Sequence, residues 1–316
     1  MIEMKELTKS FGNNIALNEL TLFIPGGQVY GLIGPNGAGK TTAMRILATL
    51  AAADSGTAIV DGKDIVHDTR GVRRSIGYMP DFFGVYDGLT SREYLSFFAS
   101  SYNIPEEKHD VLVKDLLELV NLPDKAEAYV DNLSRGMKQR LALARCLVHD
   151  PQVLILDEPA SGLDPRARAE VKEIVVQLGQ MGKTVLISSH ILPELSEICD
   201  RVGILQNGKL LASGPVPEII SGGKGNRVIN IEVTEHMTKL VEYLGGYPAV
   251  IQAEEVDNMV RLIFSGNKTA QVNLLREVVS AGYDVVQFSE ERGNLEDIFM
   301  AVTGEVESNV HQSSTV

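Results

Sequence analysis

The run Gly34-Pro35-Asn36-Gly37-Ala38-Gly39-Lys40-Thr41, followed by Thr42, has the residue types that cradle phosphate. Glycines let consecutive backbone N–H groups curl around phosphate oxygens, a lysine reaches the outer phosphates, and a threonine hydroxyl can ligate Mg²⁺. Such a loop alone does not separate a kinase from a hydrolase. The second element is Asp157-Glu158, which closes the apolar run 153–156. An aspartate at a strand end can hold the Mg²⁺ shell, and an adjacent glutamate is placed to orient or deprotonate a water for in-line attack on a γ-phosphate.

Those groups need rigid carriers. Short apolar runs bounded by turn residues at 29–33, 153–156, 184–187 and 202–205 predict buried strands, and helix-spaced patterns at 41–50 and 166–178 alternate with them. Strands alternating with helices predict a largely parallel sheet covered on both faces. The phosphate loop leaves such a strand and opens such a helix, the context in which a helix N-terminus adds positive potential at an anion. Between 81 and 149 strand signals vanish, and residues 91–101, 109–120 and 134–149 carry helical periodicity, which predicts an inserted helical subdomain at about 82–149. The stretch 221–226 has linker composition and sets a boundary between domains at 1–221 and 222–304. Beyond it the order is strand 228–233, helix 237–244, strands 249–252 and 260–264, helix 270–281 and strand 284–288, a ferredoxin-like β-α-β-β-α-β arrangement. A last helix at 295–302 and a disordered polar tail at 305–316 complete the expectation.

With these elements in place the chain resembles the ATP-binding cassette ATPases over roughly residues 1–220. The run from Leu133 through Ser134, Arg135, Gly136 and Met137 to Arg140 is similar to the family signature, Ser161-Gly162-Leu163-Asp164 to its D-loop, and His190 to its switch histidine. Phe11 stands where an aromatic stacks on adenine in that family. The resemblance implies an α/β P-loop NTPase core that hydrolyses ATP with Mg²⁺. Thr41 and Asp157 would serve the metal, Glu158 would be the general base and His190 the γ-phosphate sensor. It also implies a nucleotide-sandwich homodimer, in which Ser134 and Gly136 of one chain face ATP held by Lys40 of the other. Two departures stand out: Asp81 occupies the place of the usual Q-loop glutamine, and Arg135 and Met137 replace the usual signature Gly and Gln. An Asp81 carboxylate could still bind Mg²⁺ or a water, but it repels a γ-phosphate where a glutamine would not. Together with the segment 294–304, these variations are similar to the ABC-2 branch, whose members are single-cassette subunits of exporters with a separate permease.

Composition bounds the partners. In 316 residues with a net charge of −13, nonspecific capture of nucleic acid is disfavoured, and no apolar run approaches the length of a membrane span. Residues 1–6 lack the apolar stretch of a secretory signal. A cytoplasmic protein, peripheral on the inner face of the membrane through its permease, is the expectation. Cys146 and Cys199 lack metal-ligand spacing and read as core residues. The second domain carries seven Lys/Arg against fourteen Asp/Glu and shows no nucleophile or metal constellation; His236 and His311 read as surface residues. A different class of function, a soluble cassette ATPase acting on ribosomes or DNA, is disfavoured by the single cassette and acidic balance. A small-molecule kinase is disfavoured by the Asp157-Glu158 pair.

Overall fold

The computed structural model describes residues 1–81, 84, 88–220, 227–256 and 259–291, in two compact units, Met1–Ser213 and Gly214–Val316. The composition-based boundary at 221/222 falls later than this division. The expected linker 221–226, the helix 295–302, the motif 294–304 and the tail 305–316 lie outside the described residues, as does His311.

The first unit opens with two long strands, β1 (Ile2–Phe11) and β2 (Asn14–Ile24), before β3 (Val29–Ile33) and helix α1 (Lys40–Leu47). It continues through β4 (Ser55–Val60), β5 (Lys63–Asp64), α2 (Thr69–Ser75) and β6 (Ile76–Met79), then the helices α3 (Ser91–Ser101), α4 (His109–Leu119) and α5 (Arg135–Leu147). After these come β7 (Val153–Leu156), α6 (Pro165–Gln180), β8 (Thr184–Ser189), α7 (Leu192–Ile198), β9 (Arg201–Gln206) and β10 (Lys209–Pro215).

These strands form two sheets. One has the order β2-β1-β4-β5 and is antiparallel; the other runs β10-β9-β3-β8-β7-β6, with the β9, β3, β8, β7 and β6 neighbours parallel. α1 fills the space between them: Ala43, Met44, Ile46 and Leu47 share one buried cluster with Ile2, Met4, Leu20 and Ile24 of the first sheet and Leu32, Ile155 and Leu186 of the second. The phosphate loop thus hangs on a helix whose apolar side is held by two sheets. Burying apolar area at roughly 25 cal/mol per Å² makes such a helix a stiff mount.

The antiparallel sheet was not anticipated. In β1 the alternation that buries Ile2 and Met4 breaks at Glu6, whose φ of 51° marks a bulge, and Leu7 rather than Glu6 turns inward. One extra residue restores the core face after the interruption. The helical subdomain of α3, α4 and α5 falls where periodicity placed it, and Thr90 and Glu93 close a reciprocal cap on α3. No described helix is long and apolar enough to cross a membrane.

The second unit begins with α8 (Val216–Ile220) and then alternates β11 (Arg227–Val233), α9 (Met237–Gly245), β12 (Val250–Val256), β13 (Met259–Phe264), α10 (Lys268–Ser280) and β14 (Val285–Glu291). Its sheet order β12-β13-β11-β14, antiparallel throughout, is that of the ferredoxin-like fold. Ile229, Ile231, Leu262 and Phe264 of the sheet meet Leu240, Leu244, Leu274 and Val278 of the two long helices in its core.

Candidate active site

The glycines of the loop answer to geometry. Gly39 is the N-cap of α1 with φ 108°, and a Cβ there would lie 2.4 Å from the Ala16 carbonyl oxygen. At Gly34 it would lie 2.3 Å from that of Leu205. No side chain caps α1, so the first N–H groups of the helix are left for an anion. Lys40 is buried; its Nζ donates to the Gly34 and Pro35 carbonyls at 2.7 and 3.3 Å and lies 3.6 Å from Glu158 Oε1.

The carboxylates sit at the C-terminal end of β7, beside the end of β8. Asp157 is wholly buried, and its Oδ1 accepts from Ser188 Oγ at 2.7 Å. Its Oδ2 has no hydrogen-bond partner among the described residues. A buried carboxylate oxygen held without a donor fits a cation. No cluster of three His, Cys, Asp or Glu that could hold a metal occurs among the described residues. Glu158 adopts φ 51°, and its N–H donates to the same Ser188 Oγ at 2.9 Å. Its Oε2 stands 2.5 Å from His190 Nδ1, so Lys40, Glu158 and His190 form one chain of charged and titratable groups.

A cleft of about 380 Å³ gathers Phe11, the loop from Asn36 through Thr42, Asp81, Glu158 and His190. Gly34, Pro35 and Asp157 do not line it; the carbonyls of the first two accept from Lys40 Nζ, and Asp157 precedes Glu158. The Phe11 ring is exposed, with the Lys9 ammonium 5.4 Å from its centroid. Asn14 and Ala16 also line the cleft and were not among the expected residues, and Ser161, read as the first residue of the D-loop-like run, lines it too. Burial, and then the neighbouring Asp157 and Glu158 carboxylates, hold the Asp81 pKa above the ordinary aspartate value; Arg135 and His190 oppose them. A larger cleft of about 860 Å³, lined by Arg73, Tyr102 and His149 among others, contains neither the loop nor the carboxylates. Size alone does not mark the site.

Ser134, Gly136 and Asp164 are not brought into the phosphate cleft of their own chain. Ser134 caps α5, its Oγ accepting from Met137 N–H at 3.3 Å, and Asp164 caps α6 through Arg166 and Ala167 N–H at 3.1 and 3.0 Å. The two helix starts pack together: a Cβ on Gly136 would lie 2.7 Å from that of Ala167. Arg135 Nη2 donates to the Ser161 carbonyl at 3.2 Å, with its guanidinium against Gly162. Ser188, whose hydroxyl touches both residues of the carboxylate pair, had no signal in the sequence beyond lying two residues before His190.

An uncapped glycine loop leading from β3 into α1, a paired Asp-Glu at the end of β7 and a parallel sheet in which β8 lies between those strands define a P-loop ATPase. Residues 17–161 match the ABC transporter family model, and residues 214–303 match the C-terminal domain of ATP-binding proteins like DrrA1-3. Nod factor export ATP-binding protein I of Burkholderia lata is 35% identical over 303 residues, 96% of this chain and 97% of that protein. The linearmycin resistance ATP-binding protein LnrL of Bacillus subtilis is 28% identical over 306 residues, covering 96% and 98% of the two chains. Among solved structures, an ATP-binding subunit of an ABC transporter superposes with a TM-score of 0.64 at 28% identity over 71% of this chain and 94% of the other. The protein cbiO1 from Clostridium perfringens, part of the transporter complex cbiONQ, gives 0.63 at 28% over 70% and 91%. The chain belongs to the ABC transporter ATP-binding proteins and is an ATPase subunit of that family.

Proposed function

We propose that two copies of this chain close face to face on ATP, and that hydrolysis reopens them to drive export through a separate membrane-embedded permease. The observation that carries this reading is the division of the site. The phosphate loop, Glu158 and His190 share one cleft, whereas Ser134 and Gly136 do not line it and stand at the start of α5. A second copy supplies them: the Ser134 hydroxyl and the start of α5 face the γ-phosphate held by the first copy's Lys40. A relative named for Nod factor export and the dimeric structure of the similar bacterial ABC transporter cassette MJ0796 support both parts.

In this reading Phe11 stacks on adenine, the loop N–H groups and Lys40 bind the phosphates, and Thr41 with the free Oδ2 of Asp157 hold Mg²⁺. Bound there, Mg²⁺ would neutralise charge on the phosphate oxygens. Glu158 takes a proton from the attacking water as its oxygen bonds to the γ-phosphorus and the bond to the ADP oxygen breaks. His190 holds the Glu158 carboxylate on one side and reaches the γ-phosphate on the other. Asp81 faces the same space and serves a water or the metal. The chain is then peripheral on the cytoplasmic face of the membrane, where its permease lies, and the family features it shares place it in the ABC-2 branch.

The test is to purify the tagged protein from detergent-solubilised native membranes and identify what accompanies it. A multi-span membrane protein in fixed ratio is the expected result. Ribosomal proteins or DNA in its place would overturn the export reading in favour of a soluble cassette ATPase.

A further inference from the structure

We propose that Ser188 is a positioning residue for hydrolysis, using one hydroxyl to set both carboxylates of the Asp157-Glu158 pair. The serine is fully buried at the end of β8. Its O–H donates to Asp157 Oδ1 at 2.7 Å, and the same oxygen accepts the Glu158 backbone N–H at 2.9 Å. Parallel pairing of β7 with β8, in the register Leu156↔Ile187, delivers it there.

Each bond has a distinct consequence. By engaging Oδ1, Ser188 fixes the rotation of the Asp157 carboxylate and leaves Oδ2, the oxygen with no partner among the described residues, as the free ligand atom. A carboxylate with both oxygens unheld could turn either toward the cation; the hydroxyl removes that freedom. By accepting from Glu158 N–H, it pins the backbone of a residue whose φ of 51° is a conformation that side-chain-bearing residues rarely adopt. That backbone turn aims the Glu158 side chain at Lys40 and His190. A hydroxyl does both because it donates and accepts at once. Alanine does neither, and cysteine fills similar space with a weak donor.

The proposal rests on Glu158 as the base. Its test uses the full-length chain with Ser188→Ala, Ser188→Cys and Ser188→Thr, each checked by thermal unfolding, with Glu158→Gln assayed beside them. Partners that orient a metal-bound carboxylate are worth about 10- to 100-fold. The expected result is a kcat about 10- to 100-fold lower in the alanine and cysteine variants, and recovery in threonine to within about threefold of the parent. Calorimetric titration of ATP separates the two bonds: affinity measured with Mg²⁺ drops in the alanine variant, while affinity measured in a chelator stays at the parent value.

Parent-like kcat in Ser188→Ala would overturn the proposal. So would equal weakening of ATP with and without Mg²⁺, since that outcome assigns the serine to packing of the loop. If Glu158→Gln turns over normally, the base assignment fails, yet the Mg²⁺-dependent part of ATP binding still reports on Ser188 and Asp157. If Glu158→Gln is inactive and Ser188→Ala is not, only the serine is removed.

Discussion

The two units of this chain both pack helices on a sheet, but they bury different matter. Among the described residues every buried polar or charged side chain, including Lys40, Arg140, Asp157 and Ser188, lies before residue 214. The core of the second unit is hydrocarbon, from Ile229 to Val278. Burying a polar group costs free energy unless its partners are supplied, so it persists where something other than stability is served. The contrast sets a first unit that buries polar groups beside its cleft against a second whose described core is apolar.

The largest test of that contrast is Glu158→Gln. The amide keeps the shape but cannot take a proton from water, so hydrolysis should fall by about 10² to 10⁴ with ATP binding retained. Rapid-quench turnover beside equilibrium ATP binding measures both, and an ATP-bound dimer should accumulate. Turnover near the parent value would return the carboxylate to an electrostatic role and move the base elsewhere in the cleft.

The second unit should respond the opposite way. Leu262→Ala opens a cavity in a core with no polar partner to lose, at a cost of about 2–5 kcal/mol to that unit. Saturating ATP should raise only the transition of the first unit, by about 2.7 kcal/mol at a hundredfold excess over Kd. Scanning calorimetry of the parent and the variant, with and without nucleotide, resolves this. If ATP and Leu262→Ala shift one shared transition, the units are energetically coupled and the contrast is only one of composition.

How much of this was legible follows from the same physics. The strands β3, β7, β8 and β9 are unbroken apolar runs because a parallel sheet is covered on both faces, and the ferredoxin-like order follows from alternating strands and helices set apart by turns. The sheet containing β1 and β2 escaped because the bulge at Glu6 breaks the two-residue period that would reveal a half-buried strand. The phosphate loop is legible because its chemistry admits few residue types at fixed spacing. Ser188 is not, since its partners stand 31 and 30 residues away and meet it only through the pairing of β7 with β8. Gly136 was read as phosphate-facing, and the structure adds a packing reason, the approach of Ala167.

A smaller effect probes polar groups at the rim of the cleft. Asp81 and Arg135 are among the departures from the family pattern, and both are linked to Ser161: Arg135 donates to its carbonyl, and Asp81 lines the cleft with it. Arg135→Gly should raise the KM for ATP severalfold by leaving the Asp81 carboxylate less compensated, and Asp81→Gln should lower it by removing repulsion of the γ-phosphate. The double variant should depart from additivity by about 0.5–2 kcal/mol in kcat/KM. Strict additivity would show that the two substitutions are independent features of the chain.

The smallest effect asks whether polar burial in the first unit always serves the cleft. His149 is partly buried far from the phosphate loop, stacked on Tyr102 with ring centroids 3.8 Å apart, with Nε2 donating to the Ile76 carbonyl at 2.9 Å. Its Nδ1 is buried without a hydrogen-bond partner among the described residues. Protonation would place an N–H there facing no acceptor, and burial pushes the folded pKa below the ordinary 6.5. The carbonyl and Asp150 pull it up, and Lys183 adds to the depression. Between the lowered folded pKa and 6.5 the unfolded chain binds more protons than the folded one, so stability in that window rises with pH. The contribution is complete above the unfolded value and is lost as pH falls toward the folded one. Denaturant unfolding of the first unit between about pH 7 and about pH 5 should therefore show a decline that His149→Phe flattens. The ATP dependence of hydrolysis at neutral pH should stay at the parent value in that variant. A change in KM would tie this second cleft to the first and give its buried imidazole a part in function, whereas a flattened pH slope with unchanged kinetics makes it a polar group retained for packing alone.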